Sequence, residues 1–130
     1  MILLDTHVVV WLGLDPDRIS KNAKAAIDHA RQNASGLAIS DMTLLELTRI
    51  SNLGRLDFRA NLESFLSEVV RKFEVLPMTG RICMEALALP ASYPKDPSDR
   101  IIGATALVEG LSLLTADREI RKSRAVPTIW

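Results

Sequence analysis

Five short, largely apolar runs constrain this chain more than any other feature: residues 2–4, 37–39, 73–76, 112–115 and 127–129. Each is bounded by turn or polar residues and is the length of a strand. The runs are unbroken rather than alternating, so the strands they predict are covered on both faces and belong to a parallel sheet. Helix-length stretches lie between them. Leu62, Phe65, Leu66, Val69, Val70 and Phe73 follow a helical period and predict one buried helix face. Leu44, Leu47, Ile50 and Leu53 predict a second helix, separated from the first by Asn61 or by residues 57–59. Residues 20–31 read as an Ala-rich surface helix with Ser20 as its cap. Residues 98–109 are apolar on most sides and stop at Gly110, a good left-handed terminator, so this helix is expected to be central. Strands alternating with helices in this way give an α/β fold, a three-layer α/β/α sandwich around a central parallel sheet. The 130 residues carry no repeat or linker, and a single domain over 1–130 is expected.

Charge and cysteine content narrow the chemistry. Sixteen basic residues balance sixteen acidic ones, which removes the commonest hint of nucleic-acid binding without excluding a nucleic-acid enzyme. Arg118, Arg121, Lys122 and Arg124 crowd around Glu119, either as a solvated helix end or as a phosphate-binding patch. The single Cys83 cannot form an internal disulfide; it suggests a reducing compartment and reads as a buried, inert thiol on a helix. The N-terminal Met-Ile-Leu-Leu-Asp has no basic leader, so a cytoplasmic protein without a membrane span is expected.

In open parallel sheets, sites form beyond the carboxyl ends of the strands, and acids stand there. Asp5 follows the first run, Asp117 the fourth, Glu46 lies one turn into the helix after the second, and Asp99 opens the central helix with Asp96 nearby. Each has a structural reading. Asp5 and Asp117 suit helix caps, Thr43-x-x-Glu46 matches a capping box, and Asp96-Pro97 matches an N-cap followed by proline, with Asp99 favoured by the helix dipole. Asp5 is the hardest to treat as a cap alone, because a carboxylate ending a buried strand needs a partner.

Together the acids imply more. Carboxylates gathered at one sheet edge raise one another's pKa values, and a divalent cation relieves the repulsion. Mg2+ or Mn2+ prefers oxygen donors and keeps waters, leaving room for phosphate. His7 and His29 are far apart and Cys83 is alone, so no softer metal signature competes. No phosphate-binding glycine loop, nucleophile elbow or dehalogenase-type acid two residues after Asp5 is present. A receiver-like phosphoacceptor domain needs an acid pair after the first strand and an Asp at the end of a central one, where Pro77 stands instead.

The blocks Leu3-Leu4-Asp5-Thr6-His7, Ile39-Ser40-x-x-Thr43-Leu44-Leu45-Glu46-Leu47, Lys95-Asp96-Pro97-Ser98-Asp99-Arg100-Ile101-Ile102-Gly103-Ala104-x-Ala106 and Leu114-Thr115-Ala116-Asp117 occur in that order over nearly the whole chain. In this the sequence resembles the PIN-domain ribonucleases, and within them the VapC toxins of bacterial VapBC toxin–antitoxin pairs. The resemblance implies a PIN-like fold, endonucleolytic hydrolysis of RNA with Mg2+ or Mn2+, a homodimer, and inhibition by a cognate VapB-like antitoxin. It carries the catalytic and metal-binding roles onto Asp5, Glu46, Asp99 and Asp117. Thr115, Thr6 and Ser40 become the hydroxyl residues beside them, and Asp96 a structural cap. Arg100 is expected to pair with an acid or approach phosphate, and Arg100, Arg118 and Arg121 to hold the RNA backbone. His7 reads as a packed or supporting histidine and Trp11 as core or dimer interface. Lys95 stands where relatives often have His. Such a site would activate water against the phosphodiester and leave a 5'-phosphate and a 3'-hydroxyl. A non-catalytic PIN-like binding scaffold is the alternative.

Overall fold

The computed structural model describes residues 1–52 and 62–130. The apolar runs form β1 (Ile2–Leu4), β2 (Leu37–Ser40), β3 (Glu74–Leu76), β4 (Leu113–Leu114) and β5 (Thr128–Ile129). They assemble in the order β3-β2-β1-β4-β5, with every neighbouring pair parallel. Leu3 pairs with Ala38 on one side and with Leu113 on the other, so β1 is the central strand.

Successive strand residues point to opposite faces, and each face carries its own core. Leu4, Leu37, Ile39 and Leu114 pack with Val8, Val9, Ile27, Leu47 and Val69 from α1 (Thr6–Leu14), α2 (Lys21–Gln32), α3 (Asp41–Asn52) and α4 (Leu62–Lys72). Leu3, Ala38 and Leu113 pack with Tyr93 and with Ile102, Ala106 and Ile120 from α6 (Pro97–Glu109) and α7 (Arg118–Ser123). A third cluster joins Ile82 and Ala86 of α5 (Gly80–Ala88) to Ala104 of α6. The result is the expected three-layer α/β/α sandwich.

The helix boundaries follow from capping chemistry. Ser20 Oγ accepts from the Ala23 N–H, Asp96 Oδ1 from the Ser98 N–H ahead of Pro97, and Gly110 closes α6 at φ 66°. α6 buries Ile102, Gly103, Ala104, Thr105 and Ala106 in succession, which makes it the central helix its composition predicts. Among the described residues, no helix is long and apolar enough to cross a membrane.

Three local expectations are corrected. α3 begins at Asp41, so Thr43 lies inside the helix rather than capping it; Ser40 Oγ accepts from the Met42 N–H instead. The apolar stripe of α4 is only half covered: Val69 is buried while Val70 is half exposed. Cys83 is exposed, because α5 turns Ile82 and Ala86 towards α6 and leaves Cys83, Met84 and Leu87 outside. Leu53, Asn61 and residues 57–59 lie outside the described residues.

Candidate active site

The connections from β1 lead through β2 to β3 on one side of the sheet, whereas β4 and β5 lie on the other. The carboxyl ends of β1 and β4 therefore flank the point where strand order reverses, the place where parallel sheets open a crevice. Asp5 is the first residue beyond β1 and Thr115 the first beyond β4.

Asp5 is 4% exposed, and both of its oxygens are engaged. Oδ1 caps α1 by accepting from the Thr6 N–H at 2.9 Å, and Oδ2 accepts from the Thr115 hydroxyl at 2.7 Å. His7 Nδ1 stands 3.6 Å from the same Oδ2. His7 Nε2 accepts from the Ala116 N–H at 3.1 Å, which assigns the ring proton of the neutral imidazole to Nδ1, facing Asp5. The ring also packs on Trp11 at 4.9 Å, and Trp11 in turn meets Trp130 and the Arg18 guanidinium. His7 is thus a packed, supporting residue that ties the end of β4 to Asp5.

Glu46 comes from α3, whose third residue, Thr43, lies one turn earlier on the same face. Thr6 Oγ1 is 2.6 Å from Glu46 Oε1 and 3.1 Å from Thr43 Oγ1. With one proton per hydroxyl, Thr6 donates to the carboxylate and accepts from Thr43. Thr43 is wholly buried against Thr6, a contact that the capping-box reading missed. Its signal was its spacing, three residues before an acid on the same helix. Ser40 is also buried, but its hydroxyl serves the start of α3.

Asp117 caps α7 with one oxygen, Oδ1, which accepts from the N–H groups of Glu119 and Ile120; Oδ2 takes no part in the cap. Thr115 Oγ1 accepts from the Asp117 N–H at 3.1 Å while donating to Asp5, so one hydroxyl joins two of the acids. Asp99 sits in the first turn of α6, held at the crevice by the helix that Asp96 caps.

These carboxylates feel one another. Burial pushes the Asp99 carboxyl up to about 7, aided by the charges of Asp5, Asp96, Glu46 and Asp117. Burial likewise raises Glu46; the Thr6 hydroxyl opposes the rise, and Asp5 and Asp96 add to it. The donor set is all oxygen and strongly anionic, which suits a hard divalent cation. Among the described residues, no three His, Cys, Asp or Glu side chains close around one point tightly enough to cage an ion.

The basic residues divide. Among the described residues, Arg100 does not pair with an acid: its guanidinium donates to the carbonyls of Ala86, Leu89 and Pro90. The last carbonyls of α5 lack intrahelical partners, and a guanidinium one turn into the adjacent helix satisfies them. Arg118 and Arg121 are exposed and line an open hollow with Lys122 and Arg124 at α7, beside Asp117.

The family model described as PIN domain matches residues 2–125. The chain belongs to the PIN domain family. A curated relative, Ribonuclease VapC22 of Mycobacterium tuberculosis (strain ATCC 25618 / H37Rv), is 34% identical, with 99% of this chain and 98% of that protein covered. The PIN fold recurs in the DNA-bound VapBC of Salmonella typhimurium, at a TM-score of 0.73 and 20% identity, covering 98% of this chain and 97% of that one. VapBC2 from Rickettsia felis, bound to a DNA fragment from its promoter, superposes at a TM-score of 0.71 and 16% identity, covering 98% and 97%.

Proposed function

We infer that this PIN-domain chain is a divalent-metal-dependent endoribonuclease, the toxin of a type II toxin–antitoxin pair. The observation that carries the reading is the raised carboxyls of Asp99 and, in the same direction, Glu46, both pushed up first by burial at the sheet's switch point and then by the neighbouring charges of Asp5 and Asp96. Perturbed carboxyls in a crevice mark functional sites more often than structural ones. The 34% identity to a ribonuclease over the full chain supports the same activity.

Asp5, Glu46, Asp99 and Asp117 are the residues assigned to hold Mg2+ or Mn2+ and to carry catalysis. When bound, the cation supplies Lewis acidity towards the scissile phosphate and an attacking water. Thr115 and Thr6 fix the Asp5 and Glu46 carboxylates by donating to them, so neither must reorganise when substrate arrives. Arg118 and Arg121 hold the RNA backbone beside Asp117. Water is the nucleophile, and the products carry a 5'-phosphate and a 3'-hydroxyl. The VapBC complexes that share the fold support a VapB-like antitoxin as partner. The exposed Met84 and Leu87 of α5 support a homodimer.

Chelation tests this reading. EDTA should abolish cleavage of a mixed RNA substrate by the purified chain, and excess Mn2+ or Mg2+ should restore it. Cleavage that survives exhaustive chelation would exclude the metal mechanism. RNA binding without cleavage under any divalent cation would favour a non-catalytic scaffold.

A further inference from the structure

We propose that Tyr93 is a positioning residue for Asp99, seated on Gly103 and acting through the Asp99 main-chain carbonyl. This rests on the metal-nuclease reading of the same site. Each of the other three acids is fixed by hydrogen bonds to its own carboxylate: Asp5 from Thr115, Glu46 from Thr6, and Asp117 from the α7 amides. Among the described residues, the Asp99 carboxyl has no such bond. Like charges push on it from Asp5, Asp96, Glu46 and Asp117. Its position therefore depends on how firmly the first turn of α6 is held.

Tyr93 holds that turn. It is 1% exposed and lies between α5 and α6. Its hydroxyl donates to the Asp99 carbonyl at 2.9 Å, and its own N–H donates to the Pro90 carbonyl at 3.0 Å, anchoring the loop that carries it. The phenol reaches α6 because residue 103 is glycine. A Cβ there would stand 2.2 Å from the Tyr93 hydroxyl oxygen and 2.6 Å from Cζ, closer than packed atoms tolerate. A glycine inside a helix is otherwise unfavourable relative to alanine, so the close approach gives this one a reason. Arg100 grips the same stretch in the opposite direction through the Ala86, Leu89 and Pro90 carbonyls. Consecutive residues 99 and 100 are thus latched to one loop, once by receiving and once by donating.

Tyr93→Phe keeps the ring and removes the donor. In the full chain, Mn2+ binding followed by electron paramagnetic resonance should weaken about tenfold, the lower end of the range for groups that orient metal ligands. RNA turnover should fall by about the same factor, with KM within twofold. Gly103→Ala, which displaces the ring but keeps its hydroxyl, should give the same pattern; if it does not fold, Tyr93→Phe carries the test alone. Ile27→Val, a truncation in the core beneath α2, should lower Tm while leaving Mn2+ affinity and kcat unchanged. Tyr93→Phe with parental Mn2+ affinity and kcat would overturn the proposal, whatever its Tm. A parent chain that binds no Mn2+ would instead overturn the metal-nuclease reading, and this proposal with it.

Discussion

The Thr115 hydroxyl donates to Asp5 Oδ2 at 2.7 Å, joining two residues 110 positions apart across the adjacent ends of β1 and β4. The same oxygen accepts from the Asp117 N–H, so the pose of one acid and the backbone of another share a single hydroxyl. Parallel pairing of Leu3 with Leu113 and Leu4 with Leu114 creates the arrangement, since it brings the two strand ends level.

Thr115→Val tests that linkage. Valine matches the shape but leaves the buried Asp5 oxygen and the Asp117 N–H without this partner. The expected loss is about 1 to 3 kcal/mol of stability, measured by urea unfolding, because unsatisfied buried groups bear their full desolvation cost. RNA cleavage should fall with it.

The titration of Asp99 gives the metal-free chain a signed pH dependence. Its carboxyl sits at about 7 in the folded chain against 3.8 for an unperturbed aspartate. Between those values the native state binds more protons than the unfolded state, so this residue's contribution to stability declines as pH rises towards 7 and levels off above it. Glu46 acts with the same sign. In EDTA, Asp99→Asn should therefore gain Tm relative to the parent as pH is raised from 5 to 8. Parallel Tm profiles for the two proteins would show that Asp99 does not carry this strain.

Asp117 combines a cap with a charge, and the two can be separated. An asparagine retains the oxygen that accepts from Glu119 and Ile120 and caps about as well as aspartate. Asp117→Asn should leave thermal unfolding of the metal-free chain nearly unchanged while sharply reducing Mn2+-dependent cleavage. Asp117→Ala should in addition lose about 1 kcal/mol of stability with the cap.

Arg100 should behave as a structural residue. Arg100→Ala removes three bonds to carbonyls at the end of α5 and in the loop after it, part of them near solvent, and should cost about 1 to 2 kcal/mol, towards the low end for bonds from charged groups. Salt dependence of RNA binding should be unchanged, whereas Arg118→Ala or Arg121→Ala should each reduce its slope by about one unit.

The fold was legible because its signals are local: strand-length apolar runs, the caps Ser20 and Asp96-Pro97, and the terminator Gly110 each act within a few residues. The four acids stand out in the sequence for a similar reason, since Asp5 and Asp117 follow apolar runs, Asp99 opens a helix and Glu46 lies one turn into another. What stayed hidden depends on contacts distant in sequence. Nothing near Thr43 announces that its hydroxyl meets Thr6, 37 positions away. The shared role of Tyr93 and Gly103 appears only when the loop folds back on α6. Arg100 reads as an anion binder because its motif is charged, but the carbonyls it serves lie at the end of α5 and in the loop after it. Cys83 and Val70 were misplaced because an apolar residue on a helix reveals a period, not which side the neighbouring layer covers.

The central claim is that Asp5, Glu46, Asp99 and Asp117 form one metal-dependent hydrolytic centre, and single-turnover RNA cleavage at saturating Mn2+ tests it most directly. Asp5→Asn, Asp99→Asn and Asp96→Asn should be compared with the parent, because asparagine preserves shape and capping while removing charge. The account predicts near-complete loss of cleavage for Asp5→Asn and Asp99→Asn in folded protein, with clear residual activity for Asp96→Asn, whose carboxylate caps α6. Parental rates from either Asp5→Asn or Asp99→Asn would contradict it.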